Sequence, residues 1–361
     1  MANVKISALP AATSVAAADT LPIVQSATTK KATFQNVIDA VVSNEPGTSF
    51  RNRIINGDFS VNQRGFSSTT TTLTYGQDRW RLVASDGTVT YSAQAFTAGN
   101  PITGQEPINY ARLVTTGQTL TSAEAALIQP IEDVRTFAGQ QVTVSFWAKS
   151  ASGTPKIAIE FEQRFGSGGS PSGVVQTYGG QATISTSWAR YSVTFTVPSI
   201  SGKTIGTDAN SSSVWAKLYV SAGTALNART GSLGIQTNTF DIWGVQVEAG
   251  STASAFERRP QQVELALCQR YYQRYTDGLF FRGNVPASNG LFGTLTLPVT
   301  MRTAPTWTRI GTWTVSNCGQ PAGSYVVARN IAFAATATAT GDAYFAAIDG
   351  NTGFELTGAE L

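Results

Sequence analysis

Apolar residues alternate with polar residues along most of the chain, as expected for strands with one buried face. Clear runs are VTVSFW from position 142, YSVTFTV from 191, VWAKLYV from 214 and TWTRIGTWTV from 306. Successive side chains of a strand point to opposite faces of a sheet, so each run predicts a half-buried antiparallel strand. Glycine- and serine-rich stretches such as GSGGSPSG at 166–173 separate the runs and are typical of turns. The pattern therefore predicts an all-β protein.

Two segments show helical periodicity instead. Apolar residues recur at intervals of three and four between residues 30 and 42, and again between Pro260 and Tyr275. Proline is well suited to the first position of a helix, which favours a start near Pro260. The apolar face of this second helix is wide, so we expect it to be covered from two sides, between domains or between chains.

These patterns divide the chain into segments. A polar Pro/Gly-containing linker at 43–49, SNEPGTS, follows the first of them. The predicted domains are an N-terminal module at 1–43, a large β-sandwich at 50–258, a connector helix at 259–275 and a smaller C-terminal β domain at 276–361. No internal repeat of 20–50 residues is visible, which argues against a propeller or a solenoid.

Composition excludes several classes of function. The 361 residues include 25 Lys and Arg against 22 Asp and Glu, a net charge of +3 that is too balanced for a dedicated nucleic-acid binder. The chain contains no histidine, which excludes Ser-His-Asp catalysis and His-ligated zinc. Its two cysteines cannot form a disulfide scaffold. The opening residues MANVK lack the apolar stretch of an export signal, and no segment is long and apolar enough to predict membrane insertion.

Residues 4–38 contain the motifs SALP, DTLPIVQ and TKKAT. They resemble the short N-terminal module of virion proteins of tailed bacteriophages. NRIINGDFSVNQR at 52–64, DRW at 78–80, the segment 240–275 and PVTMRTAP at 298–305 resemble a tail-fibre or appendage jelly roll and its exit helix. The resemblance implies a jelly-roll β-sandwich followed by a smaller C-terminal β-sandwich. It also implies a tail fibre or similar appendage that attaches the virion to the host surface, assembled in the host cytoplasm and anchored to other virion proteins through residues 1–43.

The same sandwich is similar to carbohydrate-binding jelly rolls of the family 4 type, in which the first and last strands meet and often hold a structural calcium. By that resemblance Asn56, Asp58 and Asp241 would hold calcium here, because calcium prefers oxygen ligands. The simpler interpretation is that Asn56 belongs to a turn and Asp241 pairs with an arginine such as Arg79. We favour the arginine, and predict no other cofactor.

Aromatic residues in or beside the strands raise the prospect of a glycan site. Exposed aromatic rings stack on sugars, and Trp188 and Tyr191 follow a polar run at the start of a predicted strand. We therefore take Trp188 and Tyr191 as candidates for binding a host-surface glycan. Trp147 and Trp215 lie within alternating strands, where we expect them in the core.

Catalysis is not expected. Hydrolysis of a glycan requires two carboxylates that face each other across a groove. Glu160 and Glu162 alternate on one strand, yet nothing in the sequence places them in a cleft. We therefore predict a structural protein without enzymatic activity.

We expect a homotrimer, because small residues alternate at 331–340 and the connector helix has an excess of apolar surface. Two alternatives remain open at this point. One is a purely architectural protein of the head, neck or collar without receptor binding. The other is a secreted carbohydrate-binding module.

Overall fold

The computed structural model describes residues 20–25, 28–33, 50–99, 102 and 104–361. The strands β1 (Thr20–Gln25) and β2 (Thr28–Thr33) form an antiparallel hairpin. The helix predicted from residue 30 is therefore wrong for 30–33, where the backbone pairs with β1. The remainder of that helix, and most of the predicted module at 1–43, lie outside the described residues.

The next part of the chain folds into two antiparallel sheets around one core. Its elements in chain order are β3 (Ser68–Thr69), β4 (Arg81–Ser85), β5 (Thr88–Ala95), β6 (Asn109–Thr116), β7 (Glu124–Glu132), β8 (Gln141–Ser150), β9 (Lys156–Arg164), β10 (Val175–Thr183), β11 (Ala189–Thr196), β12 (Ser213–Ala222), the 3₁₀ turn Thr224–Leu226, the helical turn α1 (Asn227–Thr230) and β13 (Asn238–Ala249). The five-stranded sheet has the order β10-β9-β12-β7-β4, and the six-stranded sheet has the order β11-β8-β13-β6-β5-β3. The expected all-β jelly-roll sandwich is confirmed.

Alternation along the strands builds the core of the sandwich. Val142, Val144 and Phe146 of β8 are fully buried between the sheets. Val214 and Leu218 of β12 reach the same core from the opposite sheet. Burial of such apolar side chains is the main stabilising contribution to a fold of this kind.

The start of the sandwich closes against its last strand. The Arg53 N–H donates to the Val247 carbonyl at 2.9 Å, and the Val245 N–H donates to the Gly57 carbonyl at 2.9 Å. A Cβ atom at Gly57 would lie only 2.2 Å from the Val245 carbonyl oxygen. The glycine of the NGD motif is therefore required for the close approach of the first and last segments.

The connector helix is shorter than predicted. α2 (Gln261–Gln269) has Pro260 as its N-cap, and the chain then enters β14 (Gln273–Thr276). The prediction of helix up to Tyr275 is wrong, because the backbone of 273–276 pairs with a strand at the end of the chain. None of the helices in the described part of the chain is long and apolar enough to cross a bilayer.

The C-terminal part has its own core. After β14 it contains β15 (Leu279–Val285), β16 (Gly290–Thr296), β17 (Thr306–Ile310), β18 (Thr314–Ser316), β19 (Ala322–Val326), β20 (Asn330–Thr336), β21 (Gly341–Ala347) and β22 (Gly353–Thr357). These strands form three small antiparallel sheets, in the orders β14-β22-β17, β15-β21-β18 and β16-β20-β19. Trp313, Phe333, Phe345 and Phe354 pack at their centre.

The two cores meet around the residues that follow α2. The Tyr271 ring lies 3.4 Å from the Arg79 guanidinium carbon, and the Tyr272 ring lies 3.7 Å from that of Arg64. Both tyrosines are buried. We expected this segment to be covered between domains or between chains. These contacts, which lie within the chain, agree with the first alternative, although both tyrosines follow the helix.

Candidate functional site

The outer face of the five-stranded sheet carries charged and aromatic side chains. Val214 of β12 points into the core. Because side chains alternate along a strand, Trp215, Lys217 and Tyr219 stand on the outer face. Lys217 lies opposite Glu160 of β9 in the strand register. This face therefore combines aromatic and ionic groups at its centre.

The charged residues of this face form a buried network. The Lys217 Nζ lies 3.5 Å from a Glu160 carboxylate oxygen and forms a closer ion pair with Glu162. Arg229 of α1 donates two hydrogen bonds to Glu160, at 2.7 and 2.9 Å. The Tyr219 hydroxyl donates to the same carboxylate at 2.9 Å. Every charge in this network has an opposite partner, as buried charges require.

Glu160 and Glu162 are poorly suited to acid–base catalysis, because both carboxylates are held in ion pairs. Burial alone would raise the pKa of Glu162, but the cations Lys217 and Arg164 outweigh it and hold that pKa below its usual value. Glu162 thus stays ionised at neutral pH and has no proton to donate to a leaving group. The carboxylates act instead to order the sheet surface.

Trp215 is the partly exposed aromatic residue beside this network. The guanidinium carbon of Arg164 lies 3.5 Å from the centre of its ring, and that of Arg81 lies 4.3 Å away. The indole N–H donates to the Ser213 hydroxyl at 3.1 Å. Cations over an indole ring are attracted to its electron-rich face. These contacts fix the orientation of Trp215.

Trp215 forms part of the wall of a cleft of about 620 Å³. Loops at 165–174 and 208–213 supply hydroxyl, carboxylate and backbone groups, and residues 302–303 and 358–361 of the C-terminal part close the other side. Asp208 accepts a hydrogen bond from the Ser167 hydroxyl at 2.8 Å. The volume falls in the range of sites for small ligands. The cleft can therefore hold a polar ligand by hydrogen bonds, with the part of Trp215 that Arg164 and Arg81 leave uncovered in its wall.

The structure places Trp188 and Tyr191 apart from this cleft and on different sides of the six-stranded sheet. Trp188 packs on Phe96 and Tyr110, with ring centres 5.3 and 5.5 Å away. Tyr191 packs against the core residue Phe146, and its hydroxyl accepts a hydrogen bond from the Ser185 N–H at 2.9 Å. The two candidates therefore do not form one joint aromatic platform.

Asn56, Asp58 and Asp241 have separate partners. The Asn56 amide donates to the carbonyls of Val61 and Asp78 at 2.8 and 2.9 Å. Asp58 accepts from the Ser60 hydroxyl at 2.8 Å. The NGD motif thus shapes a turn through its own hydrogen bonds, and the structure gives these residues no shared contact.

Asp241 pairs with an arginine, but not with the one suggested by the sequence. Arg112 donates to its two oxygens at 2.7 and 2.9 Å, and Lys149 lies 3.7 Å away. Arg79 instead pairs with Glu360. Within the part of the chain that the structure describes, no three His, Cys, Asp or Glu side chains cluster in a way that could hold a metal.

Trp147 is buried as expected, whereas Trp215 is not a core residue. Trp215 has the same parity as Lys217 and so lies on the outer face of the sheet, away from the core between the two sheets, where it packs partly buried against a smaller apolar cluster that includes Tyr219. The alternation in VWAKLYV already indicates that Trp215 shares a face with Lys217. The neighbours that form the cleft come from distant segments, and local sequence does not reveal them.

Comparison with known proteins gives one family match. Residues 108–212 match a family described as a carbohydrate binding domain, CBM_4_9. None of the curated proteins matches the chain. The matched segment spans β6 to β11.

Several solved structures overlap with about half of the chain. One titled "CBM4 structure and function" is 16% identical, covers 54% of this chain and 98% of its own, and has a TM-score of 0.30. A CBM22-2 xylan-binding domain from Paenibacillus barcinonensis is 15% identical, with coverages of 48% and 92% and a TM-score of 0.31. A family 11 module from Clostridium thermocellum in complex with a mixed-linked tetrasaccharide is 12% identical, with coverages of 53% and 99% and a TM-score of 0.29. Residues 108–212 of the sandwich are therefore similar to a family of carbohydrate binding domains.

Proposed function

We propose that this protein binds glycans without transforming them, and that the jelly roll does so in the cleft at Trp215. The observation that carries the proposal is the partly exposed indole in a cleft of about 620 Å³ that is also lined by Asp208, Ser167 and Arg164. Sugars offer hydroxyl groups for hydrogen bonds and C–H groups for contact with the part of Trp215 that Arg164 and Arg81 leave uncovered, so this cleft suits them. The family match of residues 108–212 supports the proposal.

A glycan array followed by calorimetry tests this proposal. The wild-type protein should bind at least one class of oligosaccharide, and Trp215→Ala should reduce the affinity about tenfold or more through loss of packing and of the fixed cleft wall. Trp188→Ala is the matched control, because it removes another partly exposed tryptophan from the opposite sheet. Loss of binding in the Trp188 variant alone would instead assign the site to Trp188. Absence of binding to every oligosaccharide would favour a purely architectural protein.

We further propose that the glycan belongs to a bacterial host and that the protein is a trimeric appendage of a tailed bacteriophage. The support is the ordered series of motifs at 4–38, 52–64, 240–275 and 298–305. Phe280, an exposed aromatic residue of the C-terminal part, is suited to contact with the host surface.

Incorporation of the protein into virions tests its assignment to a phage appendage. Both hydrophobic cores lie within 50–361, so a chain that begins at Phe50 should fold and bind glycan as the full chain does. If residues 1–43 anchor the protein, this shortened chain should be missing from purified virions that contain the full chain. Equal incorporation of both forms would contradict the anchoring role, and absence of the full chain from virions would contradict the phage assignment.

A further inference from the structure

The sheet β15-β21-β18 of the C-terminal part carries two stacked aromatic rings on its outer face. The centre of the Phe280 ring lies 5.4 Å from that of Tyr344, and the two ring planes are 25° apart. Because side chains alternate along a strand, and Phe281 and Phe345 pack in the core, Phe280 and Tyr344 stand on the side that faces solvent. Phe280 is 55% exposed although one face of its ring packs on Tyr344. Its opposite face is therefore open to a ligand.

An exposed ion pair lies beside these rings on the same face. Arg282 is two residues from Phe280 and Asp342 is two residues from Tyr344, a spacing of about 7 Å along each strand. The Arg282 Nε lies 3.0 and 2.9 Å from the two carboxylate oxygens of Asp342, and its Nη2 donates a further hydrogen bond to one of them. The side chains of Arg282 and Asp342 are 62% and 49% exposed. A ligand on the rings can therefore reach both groups.

The charge and size of this face indicate what kind of ligand fits it. Among the residues of β15, β21 and β18, Arg282 and Asp342 are the only charged ones, so the three strands carry no net charge. The Arg282 guanidinium holds the pKa of Asp342 below its ordinary value, so the carboxylate stays ionised and accepts hydrogen bonds at neutral pH. Phe280 is the only exposed large apolar residue of these strands, whereas a stable subunit interface buries a much broader surface. A small, neutral, hydroxyl-bearing ligand complements these properties.

We propose that this face is a second glycan site, which binds a neutral sugar ring with its C–H groups on the two aromatic rings and its hydroxyl groups on the Arg282–Asp342 pair. The face of an aromatic ring is electron-rich and attracts the weakly positive C–H groups of a sugar. A hydroxyl group both donates and accepts, and the carboxylate and the guanidinium together supply an acceptor and a donor. The site lies in the C-terminal part and does not depend on the cleft at Trp215.

Calorimetry of the full chain with neutral hexasaccharides tests the inference. The probes are cellohexaose, xylohexaose, maltohexaose and mannohexaose, which differ in sugar or linkage and carry no charge. We expect at least one of them to bind Trp215→Ala, in which the cleft is altered. Phe280→Ala in that background should weaken this binding about tenfold or more, because it removes the exposed ring. The affinity should not fall as salt concentration rises, since neither partner carries a net charge.

Two further substitutions keep this test specific. Asp342→Asn should weaken the binding about threefold or more, because it replaces a charged acceptor by a neutral one. Phe292→Ala removes an exposed phenylalanine from a different sheet of the same part and should leave the affinity unchanged. Urea unfolding of each variant establishes that the protein remains folded.

The outcomes separate this site from the cleft. If none of the four probes binds Trp215→Ala, or if Phe280→Ala leaves the binding intact, the second site is overturned, and binding by the wild-type protein that requires Trp215 still stands. Binding that falls steeply with salt would overturn the assignment to a neutral sugar. Binding that Phe280→Ala removes and Trp215→Ala leaves unchanged would support the second site and contradict the proposal for the cleft.

Discussion

Glu360 and Arg79 form a buried ion pair between the C-terminal part of the chain and the jelly roll. Arg79 is 1% exposed, and it also donates to the Pro130 carbonyl at 2.6 Å and lies over the Tyr271 ring. Burial opposes the charge of Arg79, but the Glu360 carboxylate outweighs it and raises the pKa of the guanidinium. The Arg79–Glu360 ion pair therefore links the jelly roll to the C-terminal part through a contact that is shielded from water.

We predict that Arg79→Met destabilises the protein by about 3–5 kcal/mol, because it leaves a buried carboxylate without its main partner. Urea unfolding followed by tryptophan fluorescence measures the change. Arg282→Gln is the control, since Arg282 and Asp342 form an ion pair in which both side chains are largely exposed. Its unfolding midpoint should remain close to that of the wild-type protein. Equal midpoints for both variants would show that the Arg79 contact does not couple the two cores.

The Asp241 carboxylate gives a second prediction, which separates an arginine from a calcium ion. Arg112→Gln should destabilise the jelly roll by about 1–2 kcal/mol, because the buried carboxylate loses two charge-assisted hydrogen bonds. A metal chelator should leave the melting temperature of the wild-type protein unchanged. Arg135→Gln, which removes an exposed partner of Asp133, serves as the control for general charge effects. A chelator-induced drop in melting temperature that is absent in Asp241→Asn would instead establish a metal at this position.

The loss of protein stability at acidic pH should depend in part on protonation of Glu162. Its pKa is held below the ordinary value in the folded protein despite burial, because Lys217 and Arg164 pair with it. A depressed pKa stabilises the fold at pH values above that of the unfolded carboxyl, about 4.3, and this contribution is lost as the pH falls through the folded pKa. Glu162→Gln should therefore cost about 2 kcal/mol at pH 7, and the difference from the wild-type protein should shrink between about pH 5 and pH 3.

Urea unfolding at a series of pH values measures this difference. Glu106→Gln is the control, because Glu106 is exposed and its replacement should change stability little at any pH. A difference between Glu162→Gln and the wild-type protein that is constant from pH 7 to pH 3 would show that ionisation of Glu162 does not contribute.

Local sequence was sufficient to predict much of the fold and little of the candidate site. The period-two runs mark β8, β11, β12 and β17, because alternation is a property of one strand and its buried face. The end of α2 was misplaced, since the tyrosines after Gln269 suit both a helical stripe and a strand. The cleft joins segments far apart in the chain, and the contact of its residue Glu360 with Arg79 spans a sequence separation of 281 positions. Such a contact is set by packing of the two cores, which leaves no local pattern.

The last prediction concerns the homotrimer. The connector helix no longer supports it, because the buried tyrosines after α2 contact residues of the same chain. A different surface does support it. Phe292 and Tyr325 are 66% and 63% exposed and flank Ala332 and Ala334 on the outer face of β16, β20 and β19. Two large aromatic rings beside small residues form a flat apolar surface of the kind that interfaces between subunits bury.

Light scattering should therefore give about three times the 38.1 kDa mass of one chain. The double variant Phe292→Ser with Tyr325→Ser should shift the protein towards monomers at micromolar concentration, because it removes the largest apolar groups from this surface. Phe280→Ser is the control: it replaces another exposed aromatic residue, 55% exposed, on a different sheet and should leave the mass unchanged. A wild-type protein that remains a monomer would contradict the trimer. A trimer that persists in the double variant but dissociates in Phe280→Ser would place the interface on β15 and β21 instead.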